Sequence, residues 1–511
     1  MAQKCRNRPE EDRSSMRTSV RAVQALTLLA GFYVIALGFL AALVLMDVEI
    51  LTHLGSDGGT GALKLVLLSV LVAIPLIRGV FLVRRPKDEP PPGVTVTEER
   101  QPELWARVRG LAEQVGTRAP DEIRLIPAVN AAVSENPRFL GLVPGHRRML
   151  IGIPLLIGLT EPQLDAVLAH ELGHYSNKDT RLAGITVRGR QSLITVVQHA
   201  RSSGRAITAN LFAGYAKLYI RVSESVGRRQ ELSADLAAAR IAGRDHAADA
   251  LRQLPMLDAA YDFYLDRYAS VGWDAGLLPL PEEFYGGFRS LLAAEGRQEE
   301  LDKLRREPPA QETTPYDSHP PISERVAALE ALPPDGRTVT GLERPALAVL
   351  REHDLLLSAV AAAALSPEAA GKRPVPWDEL ARTAGRTALV KDCTVMANAA
   401  QTALGRPLTG LDDLLGAIDA GWLDTIAARL PRTDPATDPR TAARQALRPH
   451  LLLALVDAGR ARFTQSWDQV LHLDYAGPAG PETVQSALEA LTATPPNTAP
   501  TRALLHPGPA A

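Results

Sequence analysis

The chain has 511 residues, long enough for several domains, and 56 Lys and Arg against 58 Asp and Glu leave a net charge of −2. That balance gives no basic footprint for nucleic acid. Two cysteines, Cys5 and Cys393, exclude a disulfide framework and agree with a reducing compartment.

The first ninety residues read as membrane-associated. Ala25 to Met46 is uncharged and 22 residues long, about 33 Å as a helix, which suffices to cross a bilayer. A signal peptide would have a shorter apolar core and a small-residue cleavage site. Leu65 to Val83 is a second apolar run, weakened by Pro75 and Arg78, and reads as a second span or as a buried soluble helix. Lys4, Arg6, Arg8, Arg13, Arg17 and Arg21 precede the first run, and Arg84, Arg85 and Lys87 follow the second. The connecting loop, Asp47 to Ala62, has Asp47, Glu49 and Asp57 but no Lys or Arg. The positive-inside rule therefore expects two spans in the plasma membrane, with the tail and everything after residue 88 in the cytoplasm.

Short strands are expected next, at Glu122 to Val129, Arg138 to Val143 and Arg148 to Ile153. All are rich in Ile, Leu and Val, and Pro144-Gly145 is read as a turn between the last two. A helix follows. Thr160 and Gln163 form a capping box, Pro162 falls in the first turn, and Leu164, Val167, Leu168 and Leu172 make an apolar stripe. This helix carries His170-Glu171-Leu172-Gly173-His174, an HExxH motif. Two histidines four residues apart share one helical face and can ligate one ion, while Glu171 can hold a water beside it.

A catalytic zinc normally takes three protein ligands and leaves one position open. The third ligand of a metzincin would fall at position 180, which is Thr180, and position 177 is Asn177 rather than Gly. An aminopeptidase-type glutamate would fall at Leu193, and no inverted HxxEH exists. A second helical stretch, from about Ser223 to Ala242 and closing at Gly243, offers Glu231 and Asp235 on one face. Glu231 could ligate the metal while Asp235 hydrogen-bonds a ligand histidine. The same spacing also fits a solvated acidic pair answered by Arg228 and Arg229.

Taken together, HELGH with Asp179 five residues on, the later Glu231-Leu232-Ser233-Ala234-Asp235, and Ser318-His319-Pro320-Pro321 followed by Arg325 resemble the HtpX-type and CAAX prenyl protease-type membrane zinc metallopeptidases, which are gluzincins. The resemblance runs from about Glu103 to Leu332 and includes Asn130-Ala131-Ala132. It implies one Zn2+ per chain held by His170, His174 and Glu231, with Glu171 as general base and Asp235 and Asp179 supporting the ligands. It also implies that His319 and Arg325 lie near the substrate carbonyl, and that Asn130, Ala131 and Ala132 sit on an edge strand pairing with extended polypeptide substrate. Zinc lowers the pKa of its bound water towards about 7, and a donor aimed at the developing oxyanion can contribute about 3 to 4 kcal/mol. His319 is the candidate for that donor, with Arg325 as orienting or charge-stabilising neighbour. Backbone pairing at a sheet edge would tolerate many sequences and suits an endopeptidase.

One departure from that family stands out. Arg181 to Arg229 contains Arg188, Arg190, Arg201, Arg205, Lys217 and Arg221, so no uncharged run there reaches the length of a span. Leu211 to Ile220 reads as an interfacial amphipathic helix or as a core helix.

The expected class is α+β, mostly α-helical. It divides into a tail and transmembrane hairpin over 1–88, a zincin-like metallopeptidase domain with a small sheet over 89–335, an α-helical accessory domain over 336–492, and a disordered Pro/Ala-rich tail over 493–511. Helical patterns in the accessory domain fall at Leu342 to Leu365, Trp377 to Leu404, Leu408 to Leu430 and Arg440 to Phe463. It carries no motif, and binding of a further protein partner is one role open to it. The expected function is a membrane-anchored zinc endopeptidase acting on membrane or misfolded proteins. The alternative is a membrane-tethered regulator or scaffold with a structural or weakly active zinc domain. Glu171 favours the first, because a structural zinc site has no use for a general base.

Overall fold

The computed structural model describes residues 91–138, 143–175, 206–307, 320–337, 339–431, 436 and 438–506, together with scattered helical residues between 27 and 70. Among the described residues no helix is long and apolar enough to cross a membrane. Much of Ala25 to Met46 and most of Leu65 to Val83 lie outside the described residues, as do Asp179 and His319.

The chain forms two compact units. The first comprises residues 1–257 and 304–353, and the second residues 258–303 and 354–511. These units do not coincide with the contiguous division expected at 335/336, because 258–303 joins the C-terminal portion and 336–353 joins the N-terminal one.

In the first unit, a four-stranded sheet has the order β1-β2-β4-β3, with β1 Val94–Val96, β2 Glu122–Ile126, β3 Ala131–Arg138 and β4 Val143–Gly152. β2 and β4 run parallel, while β1 on β2 and β3 on β4 are antiparallel. Pro144 and Gly145 lie inside β4 rather than at the turn expected for them, since the β3–β4 pairing already closes with Arg138 opposite Val143. β4 ends on a glycine for steric reasons. A Cβ at Gly152 would meet the Ala128 carbonyl oxygen at 2.1 Å. Ile123, Leu125, Met149 and Ile151 are fully buried and seat the sheet on the helices.

The helices that matter are α1 Pro102–Val115, α2 Ile153–Gly158, α3 Glu161–Gly173, α4 Ala206–Ala242, α5 Arg244–Tyr264 and α6 Ile322–Glu330. The Gln163 side chain accepts from the Thr160 N–H at 2.8 Å and donates to Asp249 on α5 at 2.5 Å, so the start of α3 is both capped and tied laterally. Leu164, Leu168 and Leu172 are completely buried, as the apolar stripe requires. α4 starts well before Ser223 and is 37 residues long, closing at Gly243, whose φ of +100° suits glycine. Leu211 to Ile220 thus belongs to the same helix as Glu231, with Ala216, Tyr219 and Ile220 buried.

α3 also leans on α1 through charge. Arg107 reaches Glu161 at 2.5 Å and Asp165 at 3.4 Å, and Arg344 pairs with both Glu103 and Glu161. Burial pushes the Asp165 carboxyl up to about 6, Arg107 opposes this and Glu161 adds to it. An ordinary Asp titrates near 3.9, so between about pH 4 and 6 the folded state binds the extra proton and loses stability as pH rises. Asp165→Asn is therefore expected to raise the melting temperature above pH 6, by an amount equivalent to about 3 kcal/mol, and to lose that advantage below about pH 4. A difference between the two proteins that does not change with pH contradicts this.

The second unit is not purely helical. Leu277–Pro279 pairs in parallel with Arg373–Val375, and Ala461–Thr464 pairs antiparallel with His472–Tyr475. Its aromatic centre explains why 258–303 belongs to it. Tyr268 stacks on Trp467 at 5.3 Å and donates to its carbonyl at 2.8 Å, and Trp377 meets the same indole edge-on. A second core packs Met396, Leu415, Leu447, Leu451 and Leu488 between its long helices. The tail expected to be disordered is ordered through residue 506, where Ala499–Leu505 is a helix with Thr501, Leu504 and Leu505 buried. Burial of two leucines outweighs the Pro/Ala-rich composition around them.

Candidate metal centre

The centre is built where α3 crosses α4. Gly173 makes the crossing close, because a Cβ there would stand 3.1 Å from the Ala234 Cα and 3.5 Å from the Ala237 Cβ. Ala234, Ala237 and Ala238 present a small-residue face to it. The glycine of HELGH is therefore a packing position, which the motif alone does not announce.

This crossing brings His170 and His174 of α3 together with Glu231 of α4. The two Nε2 atoms are 3.2 Å apart, and the Glu231 oxygens lie 3.5 Å from one and 3.7 Å from the other. The candidate ligand atoms all fall within 4.8 Å of one another. Tetrahedral zinc with bonds of about 2.0–2.1 Å spaces its ligands at about 3.3 Å, so these separations fit one ion. His170 and Glu231 are 7% and 5% exposed, and His174 opens further towards solvent.

Asp235, one turn beyond Glu231, lies 2.9 Å from His170 Nδ1. A carboxylate accepts only, so Nδ1 carries the proton and Nε2 turns its lone pair towards His174 and Glu231. The donor set is thus arranged for a cation, since two imidazole nitrogens and a carboxylate converge with one nitrogen fixed as bare. Burial would raise the Asp235 pKa, yet hydrogen bonds from Arg325 and His170 and the Arg325 charge outweigh it and hold the group at about 2.

Arg325, on α6, stands against Asp235 and His170. Its Nη2 and Nε donate to the two Asp235 oxygens at 2.6 and 2.9 Å, a bidentate fork, and Nη2 also lies 3.2 Å from His170 Nδ1. The geometry makes it an orienting neighbour of Asp235 and His170. Glu330, five residues on, pairs with Arg252. Burial works against the Arg325 charge, the Asp235 fork more than compensates, and Glu231 and Glu171 add to the attraction. Glu171 is thus within electrostatic reach of this cluster while remaining partly exposed.

The sheet edge flanks the same helix. The Asn130 carbonyl accepts from Gly152 N at 2.8 Å, and Ala132 stands opposite Leu150, so their polar groups face β4. Strand alternation then turns Ala131 and Val133 outward. Of the three residues expected to meet substrate, Ala131 alone offers its backbone to the edge, and Val133 joins it. An alternating register would have pointed to Val133 had the strand been placed at 131–138 from the sequence.

Residues 98–332 match the model of peptidase family M48. The chain is similar to proteins named protease HtpX homolog. That of Pyrococcus abyssi is 30% identical over 173 residues, covering 31% of this chain and 58% of the relative. Those of Nostoc sp. and Thermodesulfovibrio yellowstonii are each 26% identical, covering 42% and 46% of this chain and 78% and 77% of the relatives. The chain thus spans little more than half the length of the Pyrococcus relative. No solved structure matches it. Residues 98–332, with two histidines and a glutamate converging as described, are thus similar to peptidase family M48, whose members are zinc metallopeptidases.

Proposed function

We propose that the protein is a membrane-anchored zinc endopeptidase that hydrolyses extended segments of membrane or misfolded proteins at the cytoplasmic face. The observation that carries this is the convergence of His170, His174 and Glu231 next to Glu171, with the far nitrogen of His170 fixed by Asp235. Zinc, when bound, supplies Lewis acidity that makes a water nucleophilic near neutral pH and polarises the scissile carbonyl. His170, His174 and Glu231 would hold it. Asp235 keeps His170 in the ligating tautomer, and Arg325 keeps Asp235 ionised and in place. Glu171 accepts the proton of the attacking water and returns it to the leaving amine. Ala131 and Val133 offer backbone groups against which an extended peptide can lie.

Anchoring rests on the apolar runs and their basic flanks. One contact supports a hairpin, since Ser69 in the second run donates to Asp47, the residue that follows the first run, at 2.6 Å.

Detergent-purified protein is expected to degrade casein, to stop on treatment with a zinc chelator, and to recover when zinc is restored. Cleavage that a chelator leaves untouched would remove the metal from the account.

A further inference from the structure

The residue after the second histidine, Tyr175, reaches across to the sheet edge. Its hydroxyl donates to the Val133 carbonyl at 2.6 Å. That carbonyl is one of the outward-facing acceptors of β3, two residues along from that of Ala131. Among the described residues β3 pairs with β4 alone. The hydrogen bond a neighbouring strand would make at Val133 is thus made by a side chain.

The tyrosine is held in this position from three sides. Its backbone N–H bonds the Leu172 carbonyl at 3.0 Å, continuing the last turn of α3. Its own carbonyl accepts from Thr117 Oγ1 at 3.0 Å. The Arg147 guanidinium lies 4.8 Å from its ring centroid, and that arginine is in turn fixed by Glu135 and Thr117 at 3.0 Å each. A ring clamped in this way points its hydroxyl at a fixed spot.

We propose that Tyr175 is a specificity-determining residue whose hydroxyl occupies the Val133 acceptor that an extended peptide's backbone N–H would take, so that strand addition proceeds past Ala131 only when the peptide displaces it. The inference rests on the endopeptidase reading above and deepens it. A peptide able to gain pairing and side-chain contacts along the edge replaces the tyrosine bond with its own. A segment that cannot lie extended, or that has no N–H at this position, leaves the hydroxyl in place and is held less firmly. Tyr175 thereby favours unfolded, fully extended polypeptide over folded surfaces and proline-bearing turns.

The test uses full-length protein in detergent, loaded with zinc, in the Glu171→Gln background, so that peptide binds without being cut. The probe is a fluorescein-labelled unstructured peptide from casein, with a series of the same peptide N-methylated at one backbone position each. Removing the hydroxyl in Tyr175→Phe keeps the ring and its contact with Arg147. It is expected to tighten binding of the unmethylated peptide by about 3- to 10-fold, the weight of one net hydrogen bond. One N-methylated position should erase that gain, and in the Glu171-intact enzyme KM should fall with kcat unchanged. Unchanged or weaker binding in Tyr175→Phe, or a gain that no N-methylation erases, overturns the inference while leaving the peptidase reading intact. A fall in zinc content or melting temperature with no gain in binding assigns Tyr175 to structure alone and also overturns it. If neither protein binds the peptide and the wild type cuts no casein, the peptidase reading itself fails, and the inference with it.

Discussion

Glu171→Gln protein is expected to bind zinc as the wild type does and to cleave casein about 1,000-fold more slowly. Glutamine keeps the volume of the side chain and a comparable helix propensity, so α3 and its packing through Leu168 and Leu172 stay as they are. His170 keeps the partner that fixes its ligating nitrogen, because that task belongs to Asp235. What disappears is an acceptor for the proton of the attacking water, and general base catalysis typically contributes 10²- to 10⁴-fold. The neighbouring charge changes little, since Arg325 retains its fork to Asp235. Casein cleavage by Glu171→Gln at more than about a tenth of the wild-type rate would show that another group takes the proton.

Removing the third ligand acts at an earlier step. Glu231→Ala is expected to weaken zinc binding by more than about 100-fold, measured by competition with a chelating fluorophore, and to abolish cleavage for that reason. Asp235→Ala touches no metal and should weaken zinc by about 10- to 100-fold, because Nδ1 of His170 no longer has an acceptor to fix its proton. The two variants separate on stability as well. Asp235→Ala leaves the buried Arg325 guanidinium without the carboxylate it forks, a loss that typically costs about 3–5 kcal/mol, whereas Glu231 stands 3.9 Å from Arg325 and its removal spares the fork. Equal zinc affinity in Glu231→Ala and wild type would mean that the third ligand lies elsewhere.

How much of this was legible in the sequence differs from element to element. The zinc helix was, since its capping box, apolar stripe and histidine spacing are all local and sit within fifteen residues. The choice of Glu231 and Asp235 needed more, because spacing on one helix cannot say which face meets a second helix sixty residues away. The contact that decides it, Gly173 against Ala234, depends on the absence of side chains, and small residues carry no pattern of their own. Arg325 was found as a residue but its partner was not, since an arginine ninety positions from Asp235 has no local signal linking the two. The β3–β4 hairpin was displaced for a related reason. Pro144-Gly145 is a turn signal by composition, yet β4 accommodates it within the strand. The boundary between the two units was also illegible, because 258–303 is drawn to Trp377 and Trp467 by aromatic contacts across one to two hundred residues. The final helix was hidden by its proline-rich flanks, although Leu504 and Leu505 are apolar residues that pack.

The central claim is that two imidazoles and one carboxylate of this chain hold a single zinc ion. Zinc-edge X-ray absorption on the purified wild-type protein tests it most directly. The account predicts a nitrogen and oxygen shell at about 2.0–2.1 Å with the outer-shell scattering of two imidazoles. A sulfur shell near about 2.3 Å, or a protein that carries no zinc after loading, would contradict it.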